Sequence, residues 1–472
     1  MMIMKQRKIN LMYLLLIAVF VLSSCAKSSK NAKFIPADAA VVSLDVKQMF
    51  EKSKMGDNEE AKKKLLETME GNAKSQEAKD LIKKIVEDPA KAGVDLREPI
   101  YIFGNSEGKV GVIGTILDKD DFAQLLNALA KDGGFEAVKE KDGIQYCTDG
   151  NKYTIAFDDA TFYGSESTID DIVAKFKNDE TQNTMAESED FTKLTTEQGY
   201  IKALIPMAIA EGQFSDIKKN LPEGADLKDL SIIMNLTSDK GVAKLGIECL
   251  AKSDAWKKSI KEGNDMFGKV NGDYLKYIEK GAFAFFANFD GKKLLEMLDK
   301  KEAFKKAGFD DQKKDMLKKV LESINGDFAL GIGEFKGGMP NAALYIKTKD
   351  QSFVDLVKEN GMKPEKGMDF GYKDGATYIA VGESTAFTEA KETYQNAKGR
   401  RFYVACDIDL MANLAGMVNN TASEGAKAVG EHVSSAELYD TSDTHVELVL
   451  NMKDKEKDPL EYFMQLLMKQ FM

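Results

Sequence analysis

The chain has 472 residues, 43% of them hydrophobic and 30% charged, with a formal net charge of −11 at pH 7. That length and apolar share can bury more than one core, while the acidic balance repels phosphate backbones and argues against nucleic acid as a partner. Two histidines and four cysteines leave little for a proton shuttle or a disulfide framework.

The first element is a signal peptide over residues 1–24. Lys5, Arg7 and Lys8 precede LMYLLLIAVFVL, an apolar run too short to span a bilayer comfortably. The run ends in Leu22-Ser23-Ser24-Cys25, which looks like a bacterial lipobox, so Cys25 is the expected lipidation site and the membrane a partner through its N-terminal lipid. Each acyl methylene buried adds about 0.8 kcal/mol to such an anchor. Ala26 favours delivery to an outer membrane, and a basic tether over residues 25–34 without an acidic run favours the periplasmic face over the cell surface. No later apolar run reaches eighteen residues, so the rest reads as a soluble body on a tether.

Beyond the tether, segments recur in order. SLDVKQMF (Asp45) matches NFDGKKLL (Asp290) at an offset of 245, and DLIKKIVE (Asp80–Glu87) matches DMLKKVLE (Asp315–Glu322) at 235. Phe122 answers Phe353 at 231, DGNKYTIAFDDATF (Asp149–Phe162) answers DGATYIAVGESTAF (Asp374–Phe387) at 225, and the TSD of Thr237 answers that of Thr441 at 204. Offsets that shrink in order indicate a duplicated unit with loops trimmed in the second copy. Each copy reads as a strand entering a short helix, an amphipathic helix, two strands, an Asp-capped helix, a meander with Asp-Gly turns, a strand, a hairpin and a closing helix. The expected fold is α+β: two tandem duplicated units, each a largely antiparallel sheet with packed helices. They span residues 35–272 and 273–472 and meet in the Gly- and Asn-rich KEGNDMFGKVNGD. The last helix places Leu460, Phe463, Met464, Leu467, Met468 and Phe471 on one face, suited to docking on a sheet.

FIPADAAVVSLDVKQMF and EDPAKAGVDLREPIYIF, with the spacing Pro89-x-x-x-Gly93-Val94-Asp95, resemble the openings of a family of bacterial cell-envelope lipoproteins built on a domain of unknown function. The resemblance covers essentially the whole mature chain and implies lipidation and an α+β fold, with no enzymatic activity to carry over. The second copy has SINGDFALGIG where the Pro and Gly would stand, which marks the motif as structural punctuation.

Catalytic chemistry is thin. Asp440, Asp443, His445 and Glu447 form the best constellation, and strand alternation would put the last three on one face as a possible metal triad. The first copy offers Asp239, Gly241 and Ala243 there, so a solvated strand edge is the expectation, with no metal and no cofactor. No G-x-S-x-G occurs, since YGSES at Tyr163–Ser167 lacks the closing Gly. Gly331-Ile332-Gly333 with Gly337-Gly338 reads as a hairpin rather than a phosphate loop. Asp158-Asp159 and Asp310-Asp311 carry no weight without geometry. Cys147, Cys249 and Cys406 sit singly in apolar runs and read as small buried hydrophobes. The expected function is a non-enzymatic, lipid-anchored, two-lobed binding or scaffolding body for a ligand or envelope protein, with any crevice between the copies as the place to look. The alternative is an envelope hydrolase with a site in only one unit, and a structural spacer is a third reading.

Overall fold

A computed structural model gives the fold and describes residues 30–54, 59–133, 135–149, 153–178, 181–212, 221–300, 311–336, 339–359, 361, 363–365, 367–383, 386–418, 427 and 429–464. Cys25 lies outside them, as do Leu467, Met468 and Phe471 of the last helix and Asp310. Among the described residues no helix is long and apolar enough to cross a membrane. Helix and antiparallel sheet are mixed throughout, in two compact units: one runs to Ser253 and includes the segment from Glu456, and the other is Asp254–Lys455.

The first unit begins with β1 (Ala40–Leu44), α1 (Val46–Ser53), α2 (Glu59–Asn72), α3 (Gln76–Glu87), β2 (Ile100–Gly104) and β3 (Val110–Thr115). It continues with α4 (Lys119–Gly133), β4 (Lys139–Lys141), β5 (Ile144–Thr148), β6 (Thr154–Phe157) and β7 (Thr161–Ser165). It then forms α5 (Ile169–Lys177), α6 (Glu189–Thr196), β8 (Ile201–Pro206), β9 (Leu230–Asp239) and β10 (Val242–Ala251). Pairing is antiparallel in the order β10, β9, β8, β1, β2, β3, β7, β6, β5, β4. The period-two alternation of the strands separates two cores. Ile100, Ile155, Phe157 and Phe162 pack with Ile82, Ile85 and Val86 of α3 and with Phe122 and Leu126 of α4. Tyr101, Phe103, Ile113 and Tyr163 pack instead with Phe34, Ile35, Ile172 and Phe191.

Short polar side chains start the helices. Asp45 accepts the backbone N–H of Gln48 at 2.9 Å ahead of α1, and Ser75 accepts that of Ala78 at 3.1 Å ahead of α3. In the Pro89-x-x-x-Gly93 motif a single 3-10 turn, Pro89–Ala92, is capped by Asp88 and closed by Gly93 at φ +73. A Cβ on Gly93 would stand 2.3 Å from the Phe122 backbone nitrogen, and its carbonyl accepts the N–H groups of Leu117 and Asp118. The motif therefore joins α3 to the start of α4 where backbone approaches backbone, which only glycine permits.

In the second unit α7 (Asp254–Asp265) precedes β11 (Phe283–Asp290), α8 (Gly291–Lys300), α9 (Asp311–Ser323), β12 (Ile324–Lys336), β13 (Met339–Thr348) and α10 (Ser352–Glu359). There follow β14 (Met368–Lys373), β15 (Ala376–Val381), β16 (Phe402–Asp407), α11 (Ile408–Val418), β17 (Val433–Asp440) and β18 (His445–Met452). The strands pair antiparallel in the order β18, β17, β16, β11, β12, β13, β15, β14. The core is aromatic: Tyr274, Phe286, Tyr345, Tyr394 and Tyr403 are buried together. Tyr394 keeps its hydroxyl satisfied by accepting the Gly281 N–H at 2.9 Å.

Several elements were not legible beforehand, namely α2, β4, α5, α6 and α11. The two Asp-Gly segments noted in the sequence occupy different places in their sheets. Asp374 and Gly375, at φ +53 and +77, make the expected tight turn, but it joins β14 to β15, and β15 lies beside β13 as β7 lies beside β3. Asp149 stands between β5 and β6, where its carboxylate accepts the Tyr153 N–H at 3.1 Å. The helix beginning at residue 459 belongs to the first unit, where Leu460 and Met464 cover Tyr200. Asp458 starts it, accepting the Ser238 hydroxyl at 2.6 Å and facing the Lys52 ammonium at 3.5 Å.

Candidate functional site

The second unit holds an open polar cleft of about 660 Å³, inside the range of about 300–1,000 Å³ common for small-ligand sites. Its lining comes from the end of α7 and the segment after it (Asn264, Asp265, Phe267, Gly268, Asn271), the end of β11 with the start of α8 (Asn288, Phe289, Asp290, Lys293), and the start of β12 (Asn325, Gly326). Lys347, Arg401 and Asp443 complete it.

Behind the lining sits Asp327, 2% exposed. Its carboxylate accepts the backbone N–H groups of Asn271 at 2.9 Å, Gly272 at 2.8 Å and Asp273 at 3.0 Å, and the Asn288 side-chain amide at 2.7 Å. A buried carboxylate is tolerated when it receives several such bonds, and here they fix the loop wall and one amide of the cleft. Other lining groups are held by neighbours. The Asn264 amide donates to the Asp443 carbonyl at 2.8 Å, and Lys293 Nζ to the Asp265 carbonyl at 3.1 Å. Asp290 Oδ1 accepts the N–H groups of Lys292 and Lys293, capping α8. Lys347 pairs with Asp273 at 2.6 Å, and this hydrogen bond raises its ammonium above the ordinary lysine range. Arg401 bridges Asp440, at 3.4 Å, and Asp443. Phe267 and Phe289, both half-buried, meet with ring centroids 5.2 Å apart.

The lining thus offers amide, carboxylate and cationic hydrogen-bonding groups around an aromatic pair; among its residues there is no Ser, Thr, Cys or His. A second hollow of the same unit, about 520 Å³, is edged by Glu279, Glu334, Glu383 and Glu389. There the Lys276 ammonium lies 4.9 Å above the Tyr277 ring and 3.0 Å from Glu389.

The constellation singled out from the sequence does not converge. Asp440 is buried and accepts the N–H groups of Arg401 and Phe402, whereas Asp443 stands in the turn before β18 and faces Arg401. His445 Nδ1 lies 2.7 Å from the Thr441 hydroxyl, and Glu447 accepts the Tyr439 hydroxyl at 2.6 Å. Among the described residues no group of three His, Cys, Asp or Glu is placed to hold a metal ion. Only Asp443 belongs to the cleft. Asp158 caps its own turn, accepting the Ala160 and Thr161 N–H groups, and Tyr163–Ser165 lie buried in β7. Cys147, Cys249 and Cys406 are free thiols, each pushed up by burial, Cys147 to about 12.

Sequence reading missed Asn288, Asn325, Asp327, Lys347 and Arg401, which are dispersed over 114 positions. One signal is present: KEGNDMFGKVNGD, whose Gly and Asn content marks it as the boundary between units, supplies a wall of the cleft.

No curated protein and no solved structure matches the chain. Its similarity is to a family profile that covers residues 31–431, from the turn before β1 to the approach to β17, and so takes in the motif at Gly93 and every cleft residue except Asp443. The chain belongs to the family described as Domain of unknown function (DUF4836).

Proposed function

We propose that the protein is a lipid-anchored envelope protein, attached through Cys25 to an outer membrane with its body on the periplasmic side, and that it binds a small polar ligand in the cleft of its second unit without transforming it. The single observation that carries the binding reading is the Asp327 clamp. A buried carboxylate with four donors holds the loop and the Asn288 amide in place before any ligand arrives, which lowers the ordering cost of binding.

The two units are read as copies of one ancestral unit. β1 pairs with β2 and β8 as β11 pairs with β12 and β16, and β9 and β10 continue the first sheet as β17 and β18 continue the second. Aligned by pairing, Asp158-Asp159-Ala160-Thr161 answers Asp374-Gly375-Ala376-Thr377 at an offset of 216, in place of 225. Under this alignment the buried pair Ser43 and Tyr101 stands where the second unit has Asn288 and Asp327. One copy kept a sealed core; the other opened a polar recess.

That divergence is also what a hydrolase confined to one unit would show. Binding is favoured because two of the three carboxylates lining the cleft are occupied, Asp290 by the α8 N-terminus and Asp443 by Arg401. Two measurements test the reading. Cys25→Ala should move the protein from the detergent phase to the soluble fraction, and continued detergent-dependent recovery would sink the anchor. Titration calorimetry of the purified protein should give a ligand whose affinity falls at least tenfold in Asp327→Asn with the second unit still folded by circular dichroism.

A further inference from the structure

The balance of groups in the cleft goes further than a polar ligand in general. It rests on the binding reading above and names the class. The lining residues carry three carboxylates (Asp265, Asp290, Asp443) and three cations (Lys293, Lys347, Arg401), a balanced surface, and the carboxylates set behind it, Asp273, Asp327 and Asp440, are held by Lys347, by the 271–273 N–H groups and by Arg401. An anion site would show cations in excess, and a cation site the reverse. Four asparagines, Asn264, Asn271, Asn288 and Asn325, line the same cleft, Asn264 and Asn288 with one amide hydrogen already given to the Asp443 carbonyl and to Asp327 respectively. Each amide presents two donors beside an acceptor, which suits a hydroxyl that both gives and receives.

The aromatic pair adds the apolar half of the same recognition. Phe267 and Phe289 form an isolated antiparallel bridge, and both line the cleft while keeping part of their surface exposed. An aromatic face is electron-rich and takes the polarised C–H face of a saturated ring. A ring with C–H groups on one face and hydroxyls around its edge meets both conditions. Gly268 and Gly326 keep the walls thin: a Cβ on Gly268 would stand 2.3 Å from Asn288 Oδ1, and one on Gly326 would stand 2.7 Å from Lys347 Cδ.

We infer that the cleft of the second unit binds a neutral carbohydrate, with the ring face on Phe267 and Phe289 and its hydroxyls held by Asn271, Asn288, Asn325 and the paired charges. Openness of the cleft suits a segment of an oligosaccharide rather than an engulfed monosaccharide.

The experiment is a broad array of immobilised neutral glycans probed with the purified protein. Calorimetry of the best hit follows, alongside inorganic phosphate, citrate and spermidine. A neutral glycan that binds, loses at least tenfold in affinity in Phe267→Ala, and loses threefold or more in Asn325→Ala is the expected result. Asn325 is solvent-exposed, so its variant should unfold within about 2 °C of the parent and keeps the test independent of folding. Binding of phosphate, citrate or spermidine that Asn325→Ala weakens, with no glycan bound, overturns the carbohydrate class and leaves the cleft a binding site. If neither glycans nor these ions bind, both the class and the binding reading fall.

Discussion

Asp327 Oδ1 lies 2.7 Å from the side-chain amide nitrogen of Asn288, on the strand facing its own in the β11–β12 pair. The same carboxylate holds three successive N–H groups of the 271–273 loop, so one side chain fixes both walls of the cleft. Asp327→Ala strands those donors and should cost about 3–5 kcal/mol. Asp327→Asn, which keeps one accepting oxygen, should cost less. Urea unfolding followed by tyrosine fluorescence checks both; equal midpoints for parent and Ala variant would show that the clamp contributes nothing.

The Gly93 turn gives a sharper steric test. With φ at +73 and the Phe122 nitrogen only 2.3 Å from where a Cβ would stand, Gly93→Ala meets backbone on two sides. A loss of about 2 kcal/mol or more is expected. Gly108, also at positive φ (+78) but with nothing within 4 Å of its Cβ position, is the control and should lose about 1 kcal/mol. Thermal melts of the two variants separate crowding from backbone strain.

Asp95 supplies a pH dependence. Arg97 hydrogen-bonds its carboxylate twice at 2.7 Å and holds its pKa below the ordinary 3.8. Between the folded and unfolded values the unfolded chain binds the extra proton, so stability rises with pH there. The contribution is full above about pH 4 and fades as pH falls through the folded value. Because the Arg97 side chain is half exposed, the effect is modest. Denaturation midpoints from about pH 3 to 6 should fall less steeply in Asp95→Asn than in the parent, and identical slopes would remove Asp95 from the acid response.

Cys147 is 1% exposed and its thiol is pushed up to about 12 by burial. In a Cys25→Ala background at about pH 8, Cys147 should resist iodoacetamide in the folded protein and react on denaturation. Mass spectrometry of the labelled peptides decides it. Rapid labelling of Cys147 in the native protein would place that strand at the surface.

How much of this was legible follows from which signals are local. Helix starts and turns came through because Asp118, Asp350 and Asp374 act on residues within a few positions of themselves. The α3 face of Ile82, Ile85 and Val86 came through for the same reason, as a period of the chain. α11 did not, because IDLMANLAGMV continues the apolar run of β16, and the only local sign is Asp407 accepting the Leu410 N–H at 2.9 Å. The cleft was hidden for a different reason. Asn264 and Asp443 are 179 residues apart, and only the sheet brings them to 2.8 Å. Letters alone do not fix strand order either: Asp149 follows β5 and leads toward β6, whereas Asp374 turns between β14 and β15, so similar local sequences sit at different steps of their sheets.

The return of the segment from Glu456 to the first unit bears on the order in which the chain can be completed. Tyr200, with Ile201 and Leu236 beside it, is covered by Leu460 and Met464, and Ser238 waits for Asp458. A nascent chain halted before Glu456 would hold all ten of that unit's described strands yet leave this edge uncovered. Emergence of the segment from Glu456 therefore decides when the first unit closes. Asp458→Ala, which removes the Ser238 bond and the Lys52 pair, should cost about 1–3 kcal/mol. It should also prolong protease sensitivity of the first unit after synthesis, measured by pulse-chase digestion; an unchanged time course would assign closure to contacts made earlier in the chain.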